Sequence, residues 1–189
     1  MTESKILYRI LSKKGQNFNL LQIYDAFTFR RHFFIVTEMM DINLYDYSKL
    51  LNFKPIAKDL LRCIATQILT SLNHLAKIGL IHCDLKPENI LFTDPSHRTV
   101  KIIDFGSSCT DFKNGFTYVQ SRYYRAPEVV LGLPYTNAVD MWSFACILVE
   151  MITGTPLFPA KDEKELLEFF YVRIGKPSTD MIQRARNRN

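Results

Sequence analysis

Asp84, Lys86 and Asn89 fall within six residues of one another, in the stretch His82-Cys83-Asp84-Leu85-Lys86-Pro87-Glu88-Asn89. A second acid, Asp104, stands twenty residues past Asp84 in Asp104-Phe105-Gly106. An Asp with a nearby Lys can hold a hydroxyl and a phosphate. An Asn and a second Asp can share a magnesium ion, a hard cation that takes oxygen ligands. The combination reads as phosphoryl transfer.

The elements around these residues can place them. An apolar helical pattern ends at Ile78-Gly79 just before the stretch, and the strand-like run Ile90-Leu91-Phe92 follows it. A second short strand is expected at Val100–Ile103, joined to the first by the turn residues Asp94-Pro95-Ser96-His97. A hairpin of these two strands puts Asn89 and Asp104 at its outer ends, hence close in space. Upstream, residues 2–12 read as the last turns of a helix, with Ile6, Leu7, Ile10 and Leu11 on one face. Strand-like runs follow at Leu20–Phe29 and His32–Thr37, joined by Arg30-Arg31. The second is β-branched and aromatic, as a buried strand should be. Residues 38–43 then connect this small part to a helical part. Pro55 is expected to open a long helix to Ile78, with Ile56, Leu60, Ile64, Ile68, Leu72, Leu75 and Ile78 at three- to four-residue spacing.

Residues 107–125 lack periodicity and carry many hydroxyls, so they read as an exposed loop. Ala138–Thr153 is apolar nearly all round and reads as a buried central helix, stopped at Gly154-Thr155-Pro156. Glu163–Ile174 reads as another helix, and the last dozen residues as a polar, frayed end.

The 189 residues are 47% hydrophobic and 23% charged, an ordinary globular composition. The net charge of +5 is modest, and apart from Arg184, Arg186 and Arg188 the basic residues are scattered. A solvated surface with a basic tail is the expected reading, with no nucleic-acid partner. The most apolar run, Ala138–Ile152, is too short to span a bilayer and holds Asp140 and Glu150, so no membrane role is expected. Cys63, Cys83, Cys109 and Cys146 show no metal-ligand spacing, and no signal peptide is visible. Reduced thiols in a cytoplasmic or nuclear protein are expected.

Three motifs occur in order, HCDLKPENI at 82–90, DFG at 104–106 and RAPE at 125–128, followed by DMWS at 140–143. Together they resemble the eukaryotic protein kinases over most of the chain. The finer spelling, with His-Cys-Asp, IIDFGSSC at 102–109, YVQSRYYRAPEVVLG at 118–132 and NLYDY at 43–47, resembles the dual-specificity tyrosine-regulated kinases of the CMGC group. The homeodomain-interacting kinases share much of it. The resemblance implies an α+β, two-lobed fold: an incomplete small β lobe over residues 1–40 and a mostly helical large lobe over 41–189.

It also implies roles. Asp84 would accept or orient the proton of the substrate hydroxyl, and Lys86 would steady the transferred phosphoryl of ATP. Asn89 and Asp104 would hold Mg2+, and Ser121 would bond the catalytic Asp and Lys. Backbone groups of Glu38 and Met40 would bond the adenine edge, with Leu91 under the ring. Thr37 would be the gatekeeper, where this group usually carries Phe, opening a back pocket. His82, Phe105 and Leu7 would stack as a spine. Tyr118 would be autophosphorylated, its phosphate gripped by Arg122 and Arg125 four and seven residues on; Cys83 stands where other kinases place a phosphate-gripping arginine. Protein partners would be phosphorylated on Ser or Thr, often before Pro. Cys83 and Cys109 flank the catalytic loop and the DFG loop and could form a regulatory disulfide.

Two kinase signatures are missing from the 189 residues: a glycine-rich loop and a lysine of VAIK-like spelling. Glu3 matches the helix glutamate that pairs with that lysine. The last helices of the large lobe are also absent from the sequence, which leaves Glu128 without the arginine it normally pairs. Ala145 replaces a usual Gly. Two functions are therefore expected in competition: a kinase active by ancestry, or a non-catalytic interaction module. Asp84, Lys86, Asn89 and Asp104 favour the kinase.

Overall fold

The computed structural model describes residues 18–110 and 118–186. The helix expected over residues 2–12, with Glu3 and Leu7, lies outside them. The described chain is α+β.

Strands β1 (Ile23–Phe29) and β2 (His32–Thr37) form an antiparallel hairpin, with Phe29 opposite His32 and Phe27 opposite Phe34. Arg30 and Arg31 make the two-residue turn, both at positive φ, the backbone twist that a tight hairpin needs. The composition of β2 predicts burial, but Phe33, Phe34 and Val36 are exposed. The reason is topological: among the described residues the sheet has two strands only, and its aromatic side chains meet each other, as Phe27 and Phe34 do at 5.3 Å.

The rest is mostly helical. Helix α1 (Leu44–Leu50) is capped by Asn43, whose side chain accepts from the Asp46 N–H. Helix α2 (Lys58–Lys77) buries Leu61, Ile64, Ile68, Leu72 and Leu75 along one stripe. It begins three residues after Pro55, not at it. The Ile56 N–H donates to the Met151 carbonyl at 3.0 Å, which keeps this segment extended against the next helical layer.

Helix α3 (Pro127–Val130) is a single turn, and α4 (Ala138–Thr153) runs through the core as its apolar pattern predicts. Gly154 ends α4 at φ 78°, and a Cβ there would overlap the carbonyl oxygen of Phe53. Helix α5 (Glu163–Arg173) is capped by Asp162. The polar end of the chain is not frayed throughout: Thr179–Arg186 forms α6. No helix among the described residues is long and apolar enough to cross a membrane.

A second small hairpin joins the two parts. Strands β3 (Ile90–Phe92) and β4 (Val100–Ile102) pair antiparallel, Ile90 opposite Ile102 and Leu91 opposite Lys101. Residues on both sides of the β1–β2 hairpin attach here. Leu21 donates to Ile102 at 3.0 Å on the way in, and Asp41 donates to Phe92 at 2.8 Å on the way out.

Candidate active site

The stretch at 82–89 becomes a bonded cluster. One Asp84 carboxylate oxygen receives the Lys86 ammonium at 2.8 Å. The other receives both the hydroxyl and the backbone N–H of Ser121, at 2.7 and 3.1 Å. Lys86 also reaches the Ser121 hydroxyl at 3.4 Å. The Asn89 amide donates to the Asp84 carbonyl at 2.9 Å. Burial would pull Lys86 down, but the hydrogen bond and charge of Asp84 raise it above the ordinary lysine value. Lys86 is thus held cationic, and the Asp84 carboxylate is fixed in orientation.

What holds this cluster is a residue to which the sequence reading gave no role. Asp140, on α4, is buried and accepts the backbone N–H groups of His82 and Cys83 at 2.7 and 3.0 Å. Burial pushes its carboxyl up; the proximity of His82 and the two N–H donors pull the other way. Cys83 sits at φ 67°, a left-handed conformation that is strained for a residue with a Cβ. Asp140 fixes that turn, which immediately precedes Asp84. Gln120 holds the facing segment. Its N–H donates to the Cys83 carbonyl at 2.9 Å, and its side chain bonds Val139, Ser143 and Ala126. The loop expected to be exposed is therefore buried in its second half, at Gln120, Tyr124 and Arg125. Both residues lay inside quoted motifs, but their hydrogen-bond partners are far away in sequence, so spacing alone carried no signal.

His82 and Phe105 stack edge-to-face at 5.1 Å, and His82 bonds the Ile103 carbonyl at 2.9 Å. The Cys83 and Cys109 sulfurs lie 3.6 Å apart and are not joined in a disulfide. The contact with Cys109 and burial both push the Cys83 thiol up, so it is not poised as a thiolate.

The Ile103 N–H donates to the Asn89 carbonyl at 3.0 Å, so the β3–β4 hairpin brings the backbones at Asn89 and Asp104 together. Asp104 is exposed at φ 60°, with one carboxylate oxygen on the Gly106 N–H at 3.2 Å. No described donor takes up the Asn89 side-chain oxygen, and no described cation pairs with Asp104. An amide oxygen and a carboxylate suit magnesium, which keeps waters and phosphate oxygens for its other ligands. Among the described residues no three His, Cys, Asp or Glu side chains converge into a closed metal cage.

Glu38, Met40 and Leu91 are expected at the adenine. Leu91 is half-buried on β3. The Glu38 carbonyl accepts the Thr37 hydroxyl at 3.1 Å, and no described hydrogen bond uses the Met40 backbone.

Tyr118 is exposed, and the Arg125 guanidinium stacks over its ring at 4.0 Å. A hydrogen bond and charge from Arg125, then those of Arg122, lower the Tyr118 phenol below its ordinary value. Arg125 itself is buried and bonds the Val119 and Gln120 carbonyls and the Glu163 carboxylate at 2.8 Å. The Arg122 Nε is buried without a partner. Glu128, by contrast, forms no ion pair among the described residues.

A protein-family model described as protein kinase domain matches residues 2–186. The chain belongs to the protein kinase domain family. This kinase domain is 44% identical over 186 residues to the probable serine/threonine-protein kinase dyrk2 of Dictyostelium discoideum, covering 98% of this chain and 20% of that protein. It is 43% identical over 189 residues to dual specificity tyrosine-phosphorylation-regulated kinase 4 of Homo sapiens, covering 100% and 36%. To homeodomain-interacting protein kinase 1 of Caenorhabditis elegans it is 42% identical over 186 residues, covering 97% and 22%. The chain thus spans about a fifth to a little over a third of the length of these relatives.

Two openings flank the catalytic cluster of the kinase domain. One, of about 390 Å³, lies between Asp84, Gly106 and the segment from Tyr118 to Ser121. The other, of about 620 Å³, is walled by Tyr45, Phe53, Tyr123 and Pro156 and carries Glu88 and Glu150 beside Lys86 and Arg122. Glu150 is buried and accepts the Tyr124 hydroxyl at 2.8 Å. Burial raises its carboxyl, the Tyr124 bond lowers it and the charge of Glu88 raises it again.

Proposed function

We propose that this domain transfers the γ-phosphoryl group of ATP to Ser or Thr hydroxyls of protein substrates and to its own Tyr118. The observation that carries the reading is the Asp84 carboxylate, bonded at once by Lys86 and Ser121 and bordering an open cavity. A fixed carboxylate at that place can orient an incoming hydroxyl and take its proton. Lys86, held cationic beside it, stabilises negative charge on the group in transfer. Asn89 and Asp104 would hold the metal, while the Glu38 and Met40 backbone and Leu91 would take the adenine. When bound, Mg·ATP supplies the phosphoryl group and neutralises charge on it.

The larger cavity suits the substrate chain. Glu88 raises the Glu150 carboxyl across a groove that also holds Lys86 and Arg122, so a basic substrate side chain seated beside Glu88 relieves that repulsion. The peptide class proposed is therefore Ser/Thr with a flanking Arg or Lys, and with Pro after the acceptor by family resemblance.

The test is phosphorylation of an Arg-containing Ser-Pro peptide by the 189-residue chain with Mg·ATP, read by mass spectrometry. Transfer by the wild type and none by Asp84→Asn is expected. Equal transfer by both would overturn the reading. A wild type that binds nucleotide yet transfers nothing would favour the interaction-module function instead.

A further inference from the structure

Lys101 lies on β4, opposite Leu91 on β3 and three residues before Asp104. Its ammonium meets both carboxylate oxygens of Glu38, at 2.6 and 2.7 Å. The side chains are mostly buried, 11% exposed for Lys101 and 16% for Glu38. The same Glu38 carboxylate accepts the Gln22 N–H at 2.6 Å, and the Glu38 N–H donates to the Gln22 carbonyl at 3.1 Å. Gln22 leads into β1 and Glu38 leaves β2. One carboxylate therefore gathers both ends of the hairpin, and one lysine pins it to the strand that runs on to Asp104.

Other bonds along this seam join backbone groups at residues 19–21 and 41–42 to β3 and β4, the Asn19 side chain to the Val100 carbonyl at 3.0 Å, and His97 to Asp41 at 3.1 Å. Lys101 and Glu38 form the side-chain link at the segment whose Glu38 and Met40 backbone would take the adenine. An exposed ion pair there would be worth little. This one is largely withdrawn from water, and losing Lys101 would leave a half-desolvated carboxylate that must turn outward to find solvent. Turning it out moves the Glu38 backbone and releases the Gln22 N–H.

We propose that Lys101 is a positioning residue for the nucleotide. Through Glu38 it sets the spacing between the hinge backbone and the pair Asn89 and Asp104, so the adenine and metal ends of one ligand are met together. The inference rests on the reading that this cleft takes ATP. Lys101 acts through Glu38 and not as a phosphate ligand, because its ammonium is already engaged by both oxygens of that carboxylate.

Two readouts on the full chain test it: Mg·ATP affinity by calorimetry, and hydrogen exchange at the Gln22 and Glu38 amides. Lys101→Met is expected to weaken nucleotide binding about tenfold and to speed both exchanges by a similar factor, since displacements of an ångström misalign a bound ligand. Lys101→Arg is expected to regain most of both effects. Arg184→Met, which removes an exposed pair on α6, leaves both unchanged. In turnover, the KM for ATP rises with kcat little altered. Should Lys101→Met fail to fold, Glu38→Gln removes the charge while keeping an oxygen for Gln22, and the same two losses are expected. Affinity lost with exchange unchanged would mean a direct contact and overturn the proposal, as would affinity and exchange both unchanged. If the wild type binds no nucleotide, the ATP reading fails by itself. The clasp is then judged by exchange alone, and unaltered exchange in Lys101→Met sinks it.

Discussion

The Ser121 hydroxyl donates to Asp84 Oδ1 at 2.7 Å, although 37 residues separate the two. The bond fixes one carboxylate oxygen and leaves the acid aimed by Lys86 on the other. Ser121→Ala is expected to lower kcat by about 10–100-fold with little change in KM, because the oriented base loses a support but not its charge. Asp84→Asn removes the base and is expected to lower kcat by about a thousandfold or more. Equal rates for wild type and Ser121→Ala in a peptide assay would refute the positioning role.

Asp140 accepts two backbone N–H groups at the strained turn. Asp140→Ala leaves both donors buried and unmatched and is expected to cost about 2–4 kcal/mol in urea unfolding. The sign of its pH dependence follows from burial. The folded carboxyl titrates above the ordinary 3.8, so the part of wild-type stability linked to its protonation is full below 3.8 and is lost as pH rises through the folded value, while the bonds to the two N–H groups persist. The stability gap between wild type and Asp140→Asn should shrink across that window; a gap that widens would contradict it.

Arg125 and Arg122 lower the Tyr118 phenol. Tyr118 should therefore ionise below pH 10, seen as the difference in absorbance near 295 nm between wild type and Tyr118→Phe. Arg125→Gln should move that step upward. For stability, a lowered phenol contributes above its unfolded value and the effect is lost as pH falls through the folded one, so nothing is expected at neutral pH. On active protein, intact peptides should carry phosphate on Tyr118, and Arg122→Gln should reduce it.

Glu88 and Glu150 line one groove, and the charge of Glu88 helps to raise the Glu150 carboxyl. Glu88→Gln is expected to lower kcat/KM about tenfold for a peptide with a basic residue before the acceptor, a loss near 1.4 kcal/mol, and to leave a neutral peptide unaffected. Equal losses for both peptides would rule out charge recognition.

Gly154 closes α4 against the Phe53 carbonyl. Gly154→Ala is expected to destabilise the fold by about 2 kcal/mol or more, because a Cβ must displace backbone at a left-handed position. Thermal unfolding measures it.

Local pattern in the sequence was enough for much of the architecture. The apolar run of α4 has the bounds its composition predicts, and the β3–β4 hairpin follows from two short apolar strands around a turn. The α+β class and the kinase family were legible because HCDLKPENI, DFG and RAPE are contiguous strings whose chemistry depends on near neighbours. Tertiary structure alone decided what holds those strings in place. Asp140 serves the turn at Cys83 across 57 residues, Lys101 clasps Glu38 across 63, and Arg125 meets Glu163 across 38. Each is a charged residue whose partner is chosen by the packing of separate elements, and neither periodicity nor spacing records that choice. Burial of β2 failed as an expectation for the same reason. A strand's own composition says that it can be buried, and only the elements around it decide whether it is.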